Sequence, residues 1–251
     1  MPLTTKNNFI IVGAQRSATT YLYHLLDQHP DICMARPLVP EPKFFIDDEK
    51  YGKGIKHYYD SFFSHYNGER IIGEKSTSYF ELDIAAQRIN KTLPDATILV
   101  CLRNPIDRAI SNYLFSVKHG LEKRSLDDVF LNNVAPSTGY EGISVDPFNY
   151  IGRSDYLACL ERYWKIFTKR KVLVIIAEKL ITDKGCIKYI YDNLGVDDFN
   201  KFIIDDRMKN GSAMSKITVN KKIYAKLRFI FAEKIVELEG ALNCDLSAWK
   251  V

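Results

Sequence analysis

Several features that would assign this 251-residue chain to a specialised class are missing from its sequence. Its five cysteines are odd in number, widely spaced and free of CxxC pairs, which argues against a disulfide framework or a cysteine zinc site. No apolar run reaches about 18 residues, the length that a transmembrane helix needs, and no secretory h-region precedes the first predicted strand. We therefore expect reduced, mostly buried thiols, no integral membrane segment and a cytosolic location.

The sequence also lacks a strong charge imbalance, internal repeats and low-complexity linkers. Its formal net charge of +4 is too small to indicate a nucleic-acid partner, and an anionic small ligand is enough to explain it. Hydrophobic residues make up 46% of the chain and charged residues 26%, which is typical of a globular protein. We expect one domain over residues 1–251, because α/β domains of about this length commonly stay single.

What the sequence does contain is an alternation of apolar strands and amphipathic helices. Residues 9–12, 96–102 and 171–177 are apolar runs that favour strands covered on both faces, and a shorter strand is predicted at 70–75. Helices are predicted at 51–63, at 82–93, from an Asn104 cap to residue 119, from a Ser154 cap, at 180–194 before Gly195, and at 216–242 as one helix or two. Residues 29–45, with four prolines, are expected to form an irregular loop. The pattern predicts an α/β fold with a mainly parallel sheet flanked by helices.

The turn after the first strand is the strongest candidate for a binding site. Gly13 ends the strand, and apolar residues at helical spacing resume at Tyr21, so residues 17–20 fall at a helix N-terminus. Such an end carries unpaired N–H groups and partial positive charge, which favour an anion. We interpret the turn as a phosphate cradle, with a strand-turn-helix that binds no ligand as the alternative. Its candidate binding residues are Gln15, Arg16, Ser17, Ala18, Thr19 and Thr20.

This turn is similar to a nucleotide-binding P-loop but departs from its pattern. In GxxxxGK[ST] the second glycine is followed by a lysine for the β and γ phosphates and then by a metal-binding hydroxyl. Here Ala18 stands at the second glycine and Thr19 at the lysine. A nucleoside triphosphatase is therefore disfavoured.

A second candidate site follows the strand at 96–102. Arg103 comes directly after this strand, and Ser111 lies on the helix that Asn104 and Pro105 begin. Ligands of open parallel sheets bind at the carboxyl ends of the strands, where both Arg103 and the turn after Gly13 are expected. The two segments suggest a nucleotide with phosphate groups at both ends.

These two segments resemble the paired signature of sulfotransferases that use 3'-phosphoadenosine 5'-phosphosulfate (PAPS). Residues 13–22, GAQRSATTYL, look like their 5'-phosphosulfate loop, and residues 103–113, RNPIDRAISNY, look like their RxPxxRxxSxY motif for the 3'-phosphate. The resemblance implies a nucleotide-kinase-like sheet and in-line transfer of a sulfuryl group, with PAPS as donor and 3'-phosphoadenosine 5'-phosphate (PAP) as product. Many members of this family have a lysine in the place of Arg16.

Two further segments resemble the heparan sulfate branch of that family. Residues 41–45, EPKFF, and 74–80, EKSTSYF, match elements in which a Glu and a Lys serve the acceptor hydroxyl. We therefore expect Glu41 to be the general base, with His57 or His119 as alternatives, and Lys75 to orient Glu41 or to lie near the sulfuryl group. Because an arginine does not give up its proton, Arg16 is expected to act by electrostatics and bidentate hydrogen bonds.

The remaining expectations concern the 3'-phosphate, metals and the acceptor. Lys216, in a segment that resembles a lid only weakly, is a candidate for the 3'-phosphate. No metal is expected, because clusters of His or carboxylate ligands are absent from the sequence pattern. The acceptor is expected to be a hydroxyl of a carbohydrate, a glycolipid or a small molecule. The alternatives are a P-loop kinase or NTPase, and a non-catalytic nucleotide-binding protein.

Overall fold

The computed structural model describes residues 7–136, 145–199 and 219–250, and these divide between two compact units. The first unit contains the described residues up to Leu102 and from Arg162 to 199. The second contains those from Arg103 to Glu161 and from 219 onwards. The interpretation of residues 1–251 as one domain stays a prediction.

A five-stranded parallel sheet forms the centre of the first unit, in the order β2-β3-β1-β4-β5. The strands are β1 (Asn7–Gly13), β2 (Ile32–Met34), β3 (Ile71–Lys75), β4 (Thr97–Leu102) and β5 (Val172–Ile176). In the central β1, residues 8–13 are all buried, as expected for a strand covered on both faces. The register places Ile11 opposite Lys75 of β3 and Leu99 of β4, so the carboxyl ends of these strands share one edge. The predicted α/β fold class with a parallel sheet flanked by helices is confirmed.

Ten α-helices lie within the described residues. They are α1 (Thr19–Asp27), α2 (Asp48–Gly52), α3 (Gly54–Phe62), α4 (Asp83–Thr92), α5 (Pro105–Lys118), α6 (Leu126–Phe130), α7 (Tyr156–Ile166), α8 (Ala177–Thr182), α9 (Lys184–Leu194) and α10 (Lys221–Leu242). One hydrophobic core joins the sheet to α1 and α9, through residues such as Leu22, Leu26, Ile190 and Leu194. None of these helices is long and apolar enough to cross a membrane.

The second unit includes α5, α6 and α10, and its start is as predicted. Asn104 caps α5, since its side chain accepts a hydrogen bond from the N–H of Ile106, and Pro105 occupies the first turn. The fully buried Arg108 of α5 donates to Ser154 Oγ, to Asn112 Oδ1 and to the carbonyl of Tyr150. The prediction that Ser154 caps α7 is therefore wrong, because its hydroxyl binds Arg108 and Pro105 and α7 begins two residues later.

Three other predictions about elements need correction. The loop at 29–45 contains a short strand, β2, whose three residues pair with β3. The helix predicted at 51–63 is two helices, α2 and α3. The helix predicted at 180–194 is also two, because the side chain of Asp183 accepts from the N–H of Gly185 and begins α9. At the C-terminal end, α10 is a single helix over Lys221–Leu242.

All five cysteines fall within the described residues, and none of them forms a disulfide there. Cys33, Cys101 and Cys159 are buried, whereas Cys186 and Cys244 are half-buried. Burial raises the pKa of the Cys33 thiol to about 12, so this group stays protonated at neutral pH. Three of the five thiols are buried, in agreement with the expectation of mostly buried thiols.

Candidate active site

The turn between β1 and α1 is shaped by one close approach and two left-handed residues. Gly13 has φ +155°, and a Cβ placed there would lie 2.7 Å from Phe80 Cβ, so only glycine fits. Arg16 and Ala18 follow with φ of 72° and 61°. Ala18 occupies the N-cap of α1 without a side-chain capping bond. The first backbone N–H groups of α1 therefore donate no hydrogen bond to an N-cap side chain. Such N–H groups favour a bound anion.

Ser17 gives an independent sign of a ligand at this turn. Its residue is fully buried, and its hydroxyl has no hydrogen-bond partner among the described residues. A buried polar group without a partner costs free energy, so such groups are normally satisfied. The hydroxyl and the adjoining helix N-terminus are donors that fit a phosphate or phosphosulfate.

Glu41 and Lys75 are brought together, although 33 residues separate them in the chain. Lys75, the last residue of β3, has a side chain only 5% exposed, and its Nζ forms an ion pair with Glu41 Oε1. Thr77 completes the arrangement, because its N–H donates to Glu41 Oε2 at 2.9 Å and its hydroxyl lies 3.1 Å from both oxygens. These bonds orient the Glu41 carboxylate. Sequence reasoning missed Thr77.

This cluster and the phosphate cradle lie at the same edge of the sheet. The carbonyl of Thr77 is 3.2 Å from where a Cβ of Gly13 would stand. The N–H of Ser76 donates to the carbonyl of Ile11 at 3.1 Å, which fixes the end of β3 against β1. Glu41 and Lys75 therefore belong to the rim from which the turn after Gly13 starts.

A second carboxylate, Glu74, lies directly behind this cluster and was not predicted. It is 1% exposed, and it accepts hydrogen bonds from Tyr58 Oη at 2.8 Å, Tyr79 Oη at 2.7 Å and Ser76 Oγ at 2.7 Å. Burial raises the pKa of Glu74, and the three hydrogen bonds oppose that rise. The signals in the sequence are an acidic residue inside a predicted strand and its place at the start of the 74–80 segment.

The residues predicted to hold the 3'-phosphate belong to the second unit or lie outside the described residues. Arg103 Nη2 is 3.8 Å from Asp107 Oδ2, and its carbonyl accepts from Tyr156 Oη at 2.8 Å. Ser111 is buried on α5. Lys216 lies outside the described residues. The 3'-phosphate role of all three stays a prediction.

The two histidines that were alternatives to Glu41 as the base each have a partner within their own segment. His57 is bonded to Ser61 one turn further along α3, and His119 is bonded to the carbonyl of Phe115. The described part of the chain contains no group of three or more His, Cys, Asp or Glu that would hold a metal ion.

Comparison with known proteins identifies the family of the chain. The family model described as "Sulfotransferase domain" matches residues 6–230. Human heparan sulfate glucosamine 3-O-sulfotransferase 3B1 is 31% identical over 200 residues, which cover 79% of this chain and 47% of that protein. The chain thus spans about half the length of such relatives.

Solved structures show the same likeness in three dimensions. A sulfotransferase from Alicyclobacillus acidocaldarius superposes with a TM-score of 0.78 at 28% identity, covering 98% of this chain and 99% of the other. Mouse sulfotransferase SULT7A1, solved in complex with PAP, shares the fold with a TM-score of 0.55 at 15% identity, covering 91% and 84% of the two chains. The family match over most of the chain is sufficient for assignment: the protein belongs to the sulfotransferase family.

Proposed function

We propose that this protein transfers a sulfuryl group from PAPS to a hydroxyl of a carbohydrate, a glycolipid or a small molecule by in-line displacement. The observation that carries the proposal is the Glu41, Lys75 and Thr77 cluster at the rim of the phosphate cradle. A base for an alcohol and a cradle for the donor's phosphosulfate are the two parts that such a transfer needs. The mouse sulfotransferase that shares this fold was solved in complex with PAP.

Glu41 is the proposed general base. Its carboxylate is oriented by Lys75 and Thr77, and each of its oxygens keeps lone-pair capacity for another proton donor. It takes the proton of the acceptor hydroxyl. Lys75 orients this carboxylate and adds positive charge at the rim of the cradle.

The turn at residues 15–20 is the proposed holder of the 5'-phosphosulfate. When bound, PAPS supplies the sulfuryl group and the stable PAP leaving group. Arg16 contributes fixed positive charge and bidentate hydrogen bonds, and its guanidinium keeps its proton throughout. Ser17 donates the hydroxyl that otherwise has no partner. Arg103, Ser111 and Lys216 are proposed, from the sequence motifs alone, to hold the 3'-phosphate.

The acceptor is proposed to be a carbohydrate hydroxyl in the first instance. This rests on relatives such as the human 3B1 enzyme, whose name specifies heparan sulfate glucosamine, and on the 41–45 and 74–80 segments. A cytosolic location also stays a prediction, and cell fractionation would test it.

The test combines an acceptor screen with one variant. The protein is incubated with PAPS and a heparan sulfate oligosaccharide, a glycolipid or a phenol, and products are identified by mass. Glu41→Gln is expected to lower kcat by about 100-fold or more, since general bases contribute that much, while PAP affinity measured by calorimetry stays near that of the wild type. Glu49→Gln on α2, whose side chain is 83% exposed, is the matched control and is expected to keep full turnover.

The results separate the alternatives. Sulfated product that disappears only with Glu41→Gln supports the proposal. Tight PAP binding without product from any of the three acceptor classes favours a non-catalytic nucleotide-binding protein. Full turnover of Glu41→Gln contradicts the assignment of the base.

A further inference from the structure

The segment that carries Glu41 is held from behind by hydroxyl groups of two residues that follow β3. Ser76 Oγ accepts the N–H of Lys43 at 2.9 Å, and Tyr79 Oη accepts the N–H of Phe45 at 3.1 Å. These two amides lie two and four residues beyond Glu41. Their hydrogen bonds therefore fix the backbone from which the proposed base projects.

Both of these hydroxyls donate their own hydrogen to Glu74. Ser76 Oγ and Tyr79 Oη each lie 2.7 Å from Glu74 Oε1, while Tyr58 Oη lies 2.8 Å from Oε2. Burial raises the pKa of Tyr58 and of Tyr79 well above the usual value, so both stay protonated and donate. Because each hydroxyl accepts a backbone N–H, from Lys43 or from Phe45, its own hydrogen is left to donate to Glu74.

A buried acidic side chain in this position lowers the stability of the folded chain. Glu74 is 1% exposed, and no Lys, Arg or His of the described residues forms an ion pair with it. Burying an acidic group in this way costs free energy that hydrogen bonds only partly return, and an apolar side chain of similar volume is often more stable. Two of the three donors, Ser76 and Tyr79, also bind backbone N–H groups of residues 41–45. Glu74 is therefore connected to the segment that carries the proposed base.

We propose that Glu74 is a positioning residue for the transfer reaction, acting through Ser76 and Tyr79 to fix residues 41–45 and so the direction of Glu41. This inference rests on the proposed function, because it assumes that Glu41 is the base. Glu74 itself is buried and acts through these two hydroxyls. Its contribution is a rigid backbone that holds the Glu41 carboxylate against Lys75 and Thr77.

The first arm of the test needs no acceptor and measures amide exchange by NMR in the full chain with PAP bound. Ser76→Ala should speed exchange of the Lys43 amide, and Tyr79→Phe that of the Phe45 amide, each by about tenfold, since one hydrogen bond is lost. Tyr59→Phe is the matched control, because it removes a buried hydroxyl from α3 that is bonded to Asn8 at 3.3 Å. It should leave both amides as slow as in the wild type.

The second arm measures turnover as release of PAP from PAPS with a heparan sulfate oligosaccharide. Ser76→Ala, Tyr79→Phe and Glu74→Gln should lower kcat by about tenfold with little change in the KM for PAPS, because a loosened base affects the transition state and not the cradle. A loss caused only by general destabilisation would also affect Tyr59→Phe.

Amide exchange and turnover together separate the positioning role of Glu74 from the proposed role of Glu41. Faster exchange at Lys43 or Phe45 together with lower kcat supports the inference. If Glu41→Gln is inactive but the three variants turn over like Tyr59→Phe, the positioning role is wrong and the proposed function stands. If Glu41→Gln is fully active, the proposed base fails first, and the positioning role fails with it.

Discussion

At the scale of single residues, the Ser17 hydroxyl is expected to lower the stability of the ligand-free chain and to raise its affinity for PAP. Its buried hydroxyl lacks a partner in the described structure, so it costs the folded chain free energy that a bound phosphate would return. Ser17→Ala removes the cost and the ligand contact together. We expect a melting temperature equal to or above that of the wild type, and PAP affinity lower by about five- to tenfold, the value of roughly 1 kcal/mol for one hydrogen bond.

Calorimetric titration with PAP and thermal unfolding without ligand check this expectation. The control is Ser61→Ala, which removes a hydroxyl from the exposed part of α3 that contacts His57. Unchanged PAP affinity in Ser17→Ala would mean that this hydroxyl does not face the ligand. A large loss of stability would mean that the hydroxyl has a partner in the folded chain.

At the scale of elements, the connection from α5 to α6 is closed by a buried ion pair. Glu122 Oε1 accepts the N–H groups of Lys123 and Arg124 and the Nε of Arg124, each at 2.9 Å, and Oε2 accepts Tyr150 Oη at 2.8 Å. Burial raises the pKa of Glu122, but the hydrogen bonds from Arg124 and Tyr150 outweigh it and lower the pKa from 4.5 to about 2. The carboxylate must therefore be ionised for this connection to hold.

The sign of the pH dependence follows from that lowered pKa. Below pH 4.5 the unfolded chain binds a proton at Glu122 that the folded chain still rejects, so this stabilisation is complete above pH 4.5 and is lost between pH 4.5 and about 2. Its size is on the order of 3 kcal/mol. We expect denaturant unfolding at a series of pH values to show this loss, and Glu122→Gln to be less stable at pH 7 with a flatter profile in that range. A Glu122→Gln profile as steep as that of the wild type would assign the acid sensitivity to other groups.

The elements that the sequence predicts well are those with long or strongly patterned signals. The apolar runs of β1, β4 and β5 and the Asn104-Pro105 start of α5 could be assigned without a structure. The three residues of β2 are too few to show a pattern inside a proline-rich loop, and their strand exists because β3 offers a partner. Likewise, Ser154 is a common capping residue, but buried Arg108 uses its hydroxyl instead.

The candidate site shows the same division. Glu41 and Lys75 are found through short sequence segments, and the fold brings them into contact at the carboxyl edge of the sheet. Glu74 is invisible to such reasoning, since its donors Tyr58 and Tyr79 are 16 and 5 residues away and only the fold directs all of them to one carboxylate. Hydrogen bonds between buried polar groups that are distant in the chain cannot be predicted from local sequence patterns.

At the scale of the whole molecule, ligand linkage tests the prediction for the 3'-phosphate. A ligand that binds only the folded chain stabilises it by about 2.7 kcal/mol at 100 times its dissociation constant, which corresponds to a rise of roughly 5–10 °C for a chain of this length. If Arg103 holds the 3'-phosphate, PAP should raise the melting temperature of the wild type more than adenosine 5'-monophosphate does at equal concentration, because only PAP carries that group.

Arg103→Ala should then reduce the effect of PAP to that of adenosine 5'-monophosphate, while the effect of the monophosphate stays as in the wild type. Arg170→Ala, an exposed arginine close to the start of β5, is the matched control and should respond to both nucleotides like the wild type. Because the 5'-phosphate is common to the two ligands, this comparison cancels any contribution of the cradle at residues 15–20. Equal losses for both nucleotides in Arg103→Ala would move the 3'-phosphate site away from Arg103, since the variant would then have weakened what the two ligands share.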